Sequence, residues 1–444
     1  MLKKTKNIIS YYFIRSLTYF LGFLPLKAIH LIGKFLGYFC YYFLTDFRKT
    51  ALSNLALAKS LNLSNNEILK ISKKSFQNLA INILEYPYFH QRSSKMLGKK
   101  IICKNPHIAK KIALQKKGLI FFCAHQSNFE ALFIDGTKQM EGIAIGKPIK
   151  NPYLYKWVKS IREKNNGKII EPKNALKEGL KGLRRGVFLG IVGDQAMPNS
   201  SYSYRFFNRR ACLTTAPALL SYRTNSPIIV ATTKRYFGRY EITYSDPIYP
   251  NLSNTPDIEV KNLMDKSLSI LEKSIEESPH EWLWQHNFYK QQSPKEILKK
   301  YRKDAILIVL PNTEKEFLKS LDGLKALRDI YKNNFLFLLS PKKFEEKIPF
   351  KQSFEEIFYY KNISEIFLED YRFKLVYDFS KTKSLKKHFK KLSAFDVFTM
   401  KDLKPSVINT SVDNASVANY SDIIKNAIYR NNVLRNNVSR NTKI

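Results

Sequence analysis

What this chain lacks narrows what it can be. Its 444 residues include four cysteines, Cys40, Cys103, Cys123 and Cys212, with no C-x-x-C pair and no spacing suited to zinc. No metal site is therefore expected, and a reducing compartment is the simplest setting. No G-x-G-x-x-G and no P-loop occurs, so nucleotide binding has no support. Long hydrophobic runs are missing too. The longest charge-free stretches near the N-terminus, residues 16–26 and 35–45, fall well short of the roughly 18–20 apolar residues of a spanning helix. No small-residue cleavage site follows Lys3, Lys4 and Lys6, so a secretory signal is not expected. Acidic residues are scarce: 37 Asp+Glu against 75 Lys+Arg leave a formal net charge of +38. Such an excess calls for an anionic partner, whether nucleic acid, a membrane surface or a phosphorylated substrate, although biased codon usage would also enrich lysine.

The most informative stretch is residues 118–130. Residues 119–124 are an unbroken apolar run that suits a strand covered on both faces. Polarity then changes abruptly. His125 and Glu130 follow, and Asn128 is a good N-cap for a helix through Phe129, Ala131, Leu132 and Phe133. A histidine where a strand gives way to a helix is placed to take a proton, and a carboxylate in the helix's first turn can fix its tautomer. Cys123 would share a strand face with His125, so a Cys/His pair is conceivable, with core packing the plainer reading.

Around this stretch strands alternate with helices. Strands are expected over residues 141–146, 167–170, 186–192, 226–232 and 240–244, and helices over 153–163, which carries Arg162, 176–185 and 257–277. The pattern predicts an α/β sheet with polar residues, including Asp194 and Gln195, at strand ends where such sheets keep their sites. Residues 8–44 are dense in Ile, Leu, Phe and Tyr but interrupted by Arg15, Lys27 and Lys34. They read as an interfacial or marginally spanning anchor, or as two helices packed on the protein. From about residue 300 a second, Rossmann-like unit begins, with strands at 305–310, 334–339 and 374–377. The tail beyond Lys404 lacks periodicity and is expected to be disordered. The implied division is an anchor (1–45), a catalytic domain (46–298), an extension of unknown role (299–403) and a tail (404–444).

Four words narrow the reading. His-x-x-Asn-Phe-Glu at 125–130, Gly193-Asp-Gln195, Arg205-Phe-Phe-Asn-Arg209 and Glu281-Trp-Leu-Trp284 occur in this order. Together they resemble the late acyltransferases of lipid A biosynthesis, the lauroyl/myristoyl type, over roughly residues 1–300. The resemblance implies a glycerolipid-acyltransferase-like mixed sheet flanked by helices behind N-terminal membrane-anchoring helices. It implies His125 as general base, Glu130 as the carboxylate that orients it, and Asn128, Arg162, Asp194, Gln195, Arg205 and Arg209 as substrate-binding residues. Arg162 would lie near the oxyanion, and the Arg205–Arg209 loop would face phosphate. The implied reaction moves a fatty acyl chain from acyl carrier protein to a hydroxyl of a phosphorylated glycolipid, a lipid A precursor of the Kdo-lipid IVA type. It would run at an anionic membrane surface, on the cytoplasmic side of the inner membrane, with no cofactor and no nucleic acid. Alternatives are an acyltransferase using acyl-CoA on a phosphoinositide mannoside type of glycolipid, and a non-catalytic membrane-binding protein. The extension past residue 300 departs from the family.

Overall fold

The apolar run 119–123 becomes the central strand of a seven-stranded sheet in the computed structural model, which describes residues 2–404 and 419–429. Its strands are β1 (Ile101–Cys103), β2 (Leu119–Cys123), β3 (Gly142–Ile145), β4 (Gly167–Ile170), β5 (Phe188–Val192), β8 (Ile228–Tyr236) and β9 (Arg239–Tyr244). Two more, β6 (Ser203–Phe206) and β7 (Arg209–Cys212), form a separate hairpin. The order is β1-β9-β8-β2-β5-β3-β4, parallel throughout except for the β8–β9 pair. All five β2 residues are buried. Phe121 packs edge-on against Phe188, ring centroids 5.1 Å apart, and lies 4.9 Å from Tyr244. Ala131, Phe133 and Ile134 of the helix Phe129–Gln139 join the same core. Each large apolar side chain so buried contributes about 1.5–3 kcal/mol. This is the α/β sheet that the alternation predicts, with the mixed strand directions and flanking helices that the resemblance implies.

The chain divides into two compact units. The first holds the described residues up to 45, residues 58–62 and residues 66–288, and contains the seven-stranded sheet. Its N-terminal helices, Leu2–Tyr19 and Leu26–Phe43, do not form a spanning anchor: among the described residues no helix is long and apolar enough to cross a membrane. The reason lies in how they are used. Leu2–Tyr19 carries Arg15 and basic residues at its start, whereas Leu26–Phe43 gives one face to the protein, burying Leu26, Ile29, His30, Gly33, Gly37 and Tyr41. A Cβ on Gly37 would lie 2.4 Å from the Gln77 Cα, so only glycine lets the helix Asn65–Gln91 approach this closely. The opposite face leaves Leu31, Phe35, Tyr38, Phe39, Tyr42 and Phe43 exposed.

The second unit holds residues 46–57 and 63–65 and the described residues from 289 onward. Its strands β10 (Ala305–Val309), β11 (Phe335–Pro341), β12 (Glu356–Tyr360), β13 (Leu375–Asp378) and β14 (Asp396–Thr399) form an all-parallel sheet in the order β12-β11-β10-β13-β14. Two features differ from the division expected at 45/46, 298/299 and 403/404. Most of the helix Thr45–Leu57 belongs to this unit: Ser53 donates to the Arg372 carbonyl at 2.6 Å, and the buried Lys374 ammonium reaches both Asn54 and Asp304. Residues Tyr420–Ile428 form a helix with Asn419 as N-cap, its Ile423, Ile424 and Ile428 in the core. That spacing is one helical face, short enough to be lost within a polar tail. The rest of the expected disordered tail, 405–418 and 430–444, lies outside the described residues.

Candidate active site

Strand register sets the geometry. β2 and β5 run parallel with Cys123 opposite Val192, so two residues further on His125 and Asp194 leave their strands side by side. The Asp194 carboxylate accepts the His125 backbone N–H at 2.9 Å and bonds the ring Nδ1 at 2.7 Å. It also accepts the Trp282 indole N–H at 2.7 Å. The turn into Asp194 requires Gly193, because a Cβ there would sit 1.9 Å from the Phe122 ring. Asp194 is 3% exposed. Burial would push its pKa up, but the facing imidazole and the three donors hold it below the usual carboxylate range. Burial likewise pulls His125 down, yet the Asp194 charge outweighs this and leaves the imidazole pKa raised. With Nδ1–H directed at the carboxylate, Nε2 carries the basic lone pair. It has no hydrogen-bond partner among the described residues, and the side chain is 19% exposed. An imidazole so held can take a proton at Nε2 from an incoming hydroxyl.

Glu130, which the resemblance implies as the carboxylate orienting His125, makes no hydrogen bond to that ring among the described residues. Its carboxylate accepts from Arg162 Nε at 2.9 and 3.0 Å, from Arg162 Nη2, and from the Tyr86 hydroxyl at 2.6 Å. The carboxylate that orients His125 is Asp194, delivered by the neighbouring strand, whereas the helix Phe129–Gln139 aims Glu130 at the end of the helix Pro152–Arg162. Burial works against the Arg162 charge, but Glu130 more than compensates and raises its pKa. Arg162 Nη1 has no partner among the described residues and lies 3.3 Å from where a Cβ on Gly146 would be.

The sequence profile of a family described as bacterial lipid A biosynthesis acyltransferase matches residues 2–291. The chain belongs to this family. No match was found among curated proteins. The family implies acyl transfer, and its matched span contains every residue of the site just described.

In this acyltransferase the loop after β2 is strained and tightly held. Ser127 sits at φ +43°, a left-handed conformation unfavourable for a residue with a side chain. Its N–H donates to the Glu281 carbonyl at 2.6 Å, its hydroxyl bonds the Glu281 carboxylate, and its carbonyl accepts from Asn82 at 2.6 Å. Asn128, expected to bind substrate, is 1% exposed. It caps the helix through Oδ1 and donates Nδ2 to the fully buried Glu85. Glu85 also accepts from the Tyr240 hydroxyl and from His30 Nε2 at 2.8 Å, with Arg235 Nη2 at 3.7 Å. Burial alone would push Glu85 up; the Arg235 charge and the bonds from His30 and Tyr240 hold it low. Glu85 therefore ties the loop bearing His125 to the N-terminal helix. An amide there would point hydrogens at donors. Glu85→Gln is expected to lower stability by about 1–3 kcal/mol and to reduce kcat more than it raises KM, as thermal unfolding and steady-state kinetics would show.

The remaining expected residues are dispersed. Gln195 is exposed beside Asp194, Arg205 is exposed on β6, and Arg209 is buried on β7. The β6–β7 hairpin turns at Phe207 and Asn208, both at positive φ, and its Phe206 ring lies 5.6 Å from that of Trp282. The hairpin thus backs the indole that holds Asp194. Burial pushes the Cys123 thiol far up, so it stays protonated and packs in the core rather than pairing with His125 as a nucleophile. Sequence reasoning gives Tyr86 only a core or membrane contact and does not single out Glu85 or Arg235. Glu85 did leave a signal, since it falls on the buried stripe of Ile81, Tyr88 and Phe89.

Proposed function

We propose that this acyltransferase moves a fatty acyl chain from acyl carrier protein to a hydroxyl of a lipid A precursor of the Kdo-lipid IVA type, with His125 as general base. The observation that carries the reading is the His125 ring fixed by Asp194 with Nε2 unpartnered and open. Nε2 takes the hydroxyl proton as that oxygen attacks the thioester carbonyl, and Asp194 stabilises the imidazolium that forms. When the C–S bond breaks, the imidazolium returns its proton to the departing thiolate. Glu130 and Tyr86 fix the Arg162 guanidinium so that Nη1 is available to the developing oxyanion, a contribution of about 2.7–4 kcal/mol for one such donor. A net charge of +38 suits an acidic carrier protein and a phosphorylated acceptor alike.

The exposed aromatic face of the helix Leu26–Phe43, flanked by Lys27 and Lys34, supports an interfacial position on the cytoplasmic side of the inner membrane. Replacing both Phe35 and Phe39 by glutamate is expected to weaken binding to anionic vesicles at least tenfold, given about 1.5–3 kcal/mol per inserted ring, as read by vesicle sedimentation. The function is tested by incubating the purified protein with acylated carrier protein and the glycolipid precursor and weighing the product. One added acyl chain is expected. Activity only with acyl-CoA and a mannosylated phosphoinositide would replace this reading with the alternative.

A further inference from the structure

Apart from the catalytic residues, a cavity of about 280 Å³ opens between the helices Leu26–Phe43 and Asn65–Gln91 and the turn joining β8 to β9. Lys34, Lys74, His280, Arg235, Phe237 and Glu281 are among its walls, and His125, Glu130, Arg162 and Asp194 are not. Its charge is unbalanced. Lys34 and Lys74 form no ion pair among the described residues, and Lys34 stands 5.6 Å over the Phe237 ring, with Lys27 5.7 Å from the same ring. The Arg235 side chain, 6% exposed, is committed to Asn78, Asn82 and Tyr240. The wall's carboxylate, Glu281, already accepts from the Ser127 hydroxyl and the Arg235 N–H, and burial pushes its pKa up. Burial first, then Lys74, Arg235 and Lys234, push the His280 imidazole down, so it offers a neutral hydrogen bond rather than a further charge. On the helix Leu26–Phe43, Lys34 is flanked by the exposed Leu31 and Tyr38, three and four residues away.

We propose that this pocket binds a phosphate-bearing anion, with Lys34 and Lys74 as its ion partners, His280 as a hydrogen-bonding wall and Phe237 as an apolar one. The phosphate can come from a lipid headgroup or from free phosphate. The site is separate from the acyl-transfer chemistry, and its test reads binding alone.

The full chain is titrated with dihexanoyl phosphatidylglycerol below its micellar concentration, with dihexanoyl phosphatidylcholine, and with inorganic phosphate, each followed by calorimetry. Saturable binding of phosphatidylglycerol, weakened about tenfold or more in Lys34→Ala/Lys74→Ala, is expected. Lys177→Ala/Lys181→Ala, which removes the same charge from an exposed helix elsewhere, should leave the affinity within about twofold. All four lysines are exposed, so both variants should melt like the parent. If inorganic phosphate displaces the lipid, the phosphate group alone is the ligand; if it does not, the headgroup as a whole is. Equal weakening in the two variants, binding of phosphatidylcholine as tight as that of phosphatidylglycerol, or no saturable binding would overturn the proposal.

Discussion

Replacing His125 by alanine is expected to lower the rate of acyl transfer by about 10²–10⁴-fold, with folding retained. The ring presents a basic nitrogen that has no hydrogen-bond partner among the described residues, and the substitution removes it from the place where the hydroxyl proton would be taken. Folding survives because Asp194 keeps two donors that do not come from the ring, the backbone N–H of residue 125 and the Trp282 indole. Single-turnover transfer of labelled acyl chains and thermal unfolding, measured together, separate the two effects. The pair also makes stability depend on pH. His125 has a raised pKa in the folded state, so its contribution is full below the ordinary value near 6.5 and is lost as pH rises through the raised one. Asp194, held low, contributes above the ordinary value near 3.9 and loses that contribution as pH falls through its depressed one.

Asp194→Asn is expected to cost on the order of 10⁴-fold in kcat, as when the acid of a Ser-His-Asp triad becomes an amide. An asparagine can turn its amide toward Nδ1. The ring then carries its proton on Nε2, where the acceptor hydroxyl needs a base. The change is nearly isosteric, so KM should move little. Small effects on both parameters would mean that the ring is oriented by something other than Asp194.

The sequence exposed the strand-to-helix junction at His125 because β2 is buried on both sides and its end is marked by an abrupt gain of polarity. It also exposed Asp194 as a strand-end residue. It could not show that these two meet, because that depends on β2 and β5 being neighbours with Cys123 opposite Val192, a long-range pairing that no local pattern records. The same ignorance gave the orienting role to Glu130, the carboxylate nearest in sequence, whereas the fold turns it toward Arg162. The strands β1, β12 and β14, only three to five residues long, left no periodic signal. The helix Thr45–Leu57 was assigned with its sequence neighbours, although Asn54 meets Lys374 in the second unit. The buried polar cluster around Glu85 was hidden because its members come from residues 30, 85, 128, 235 and 240, none adjacent in sequence.

The most direct test is the titration of His125 itself, followed through its ring carbon in histidine-labelled full-length protein and assigned by its absence in His125→Ala. Asp194 beside Nδ1 predicts an apparent pKa above the ordinary value near 6.5. That value should fall markedly in Asp194→Asn and shift less in Glu130→Gln. A His125 that titrates at its ordinary value, or that responds to Glu130→Gln and ignores Asp194→Asn, would contradict the account.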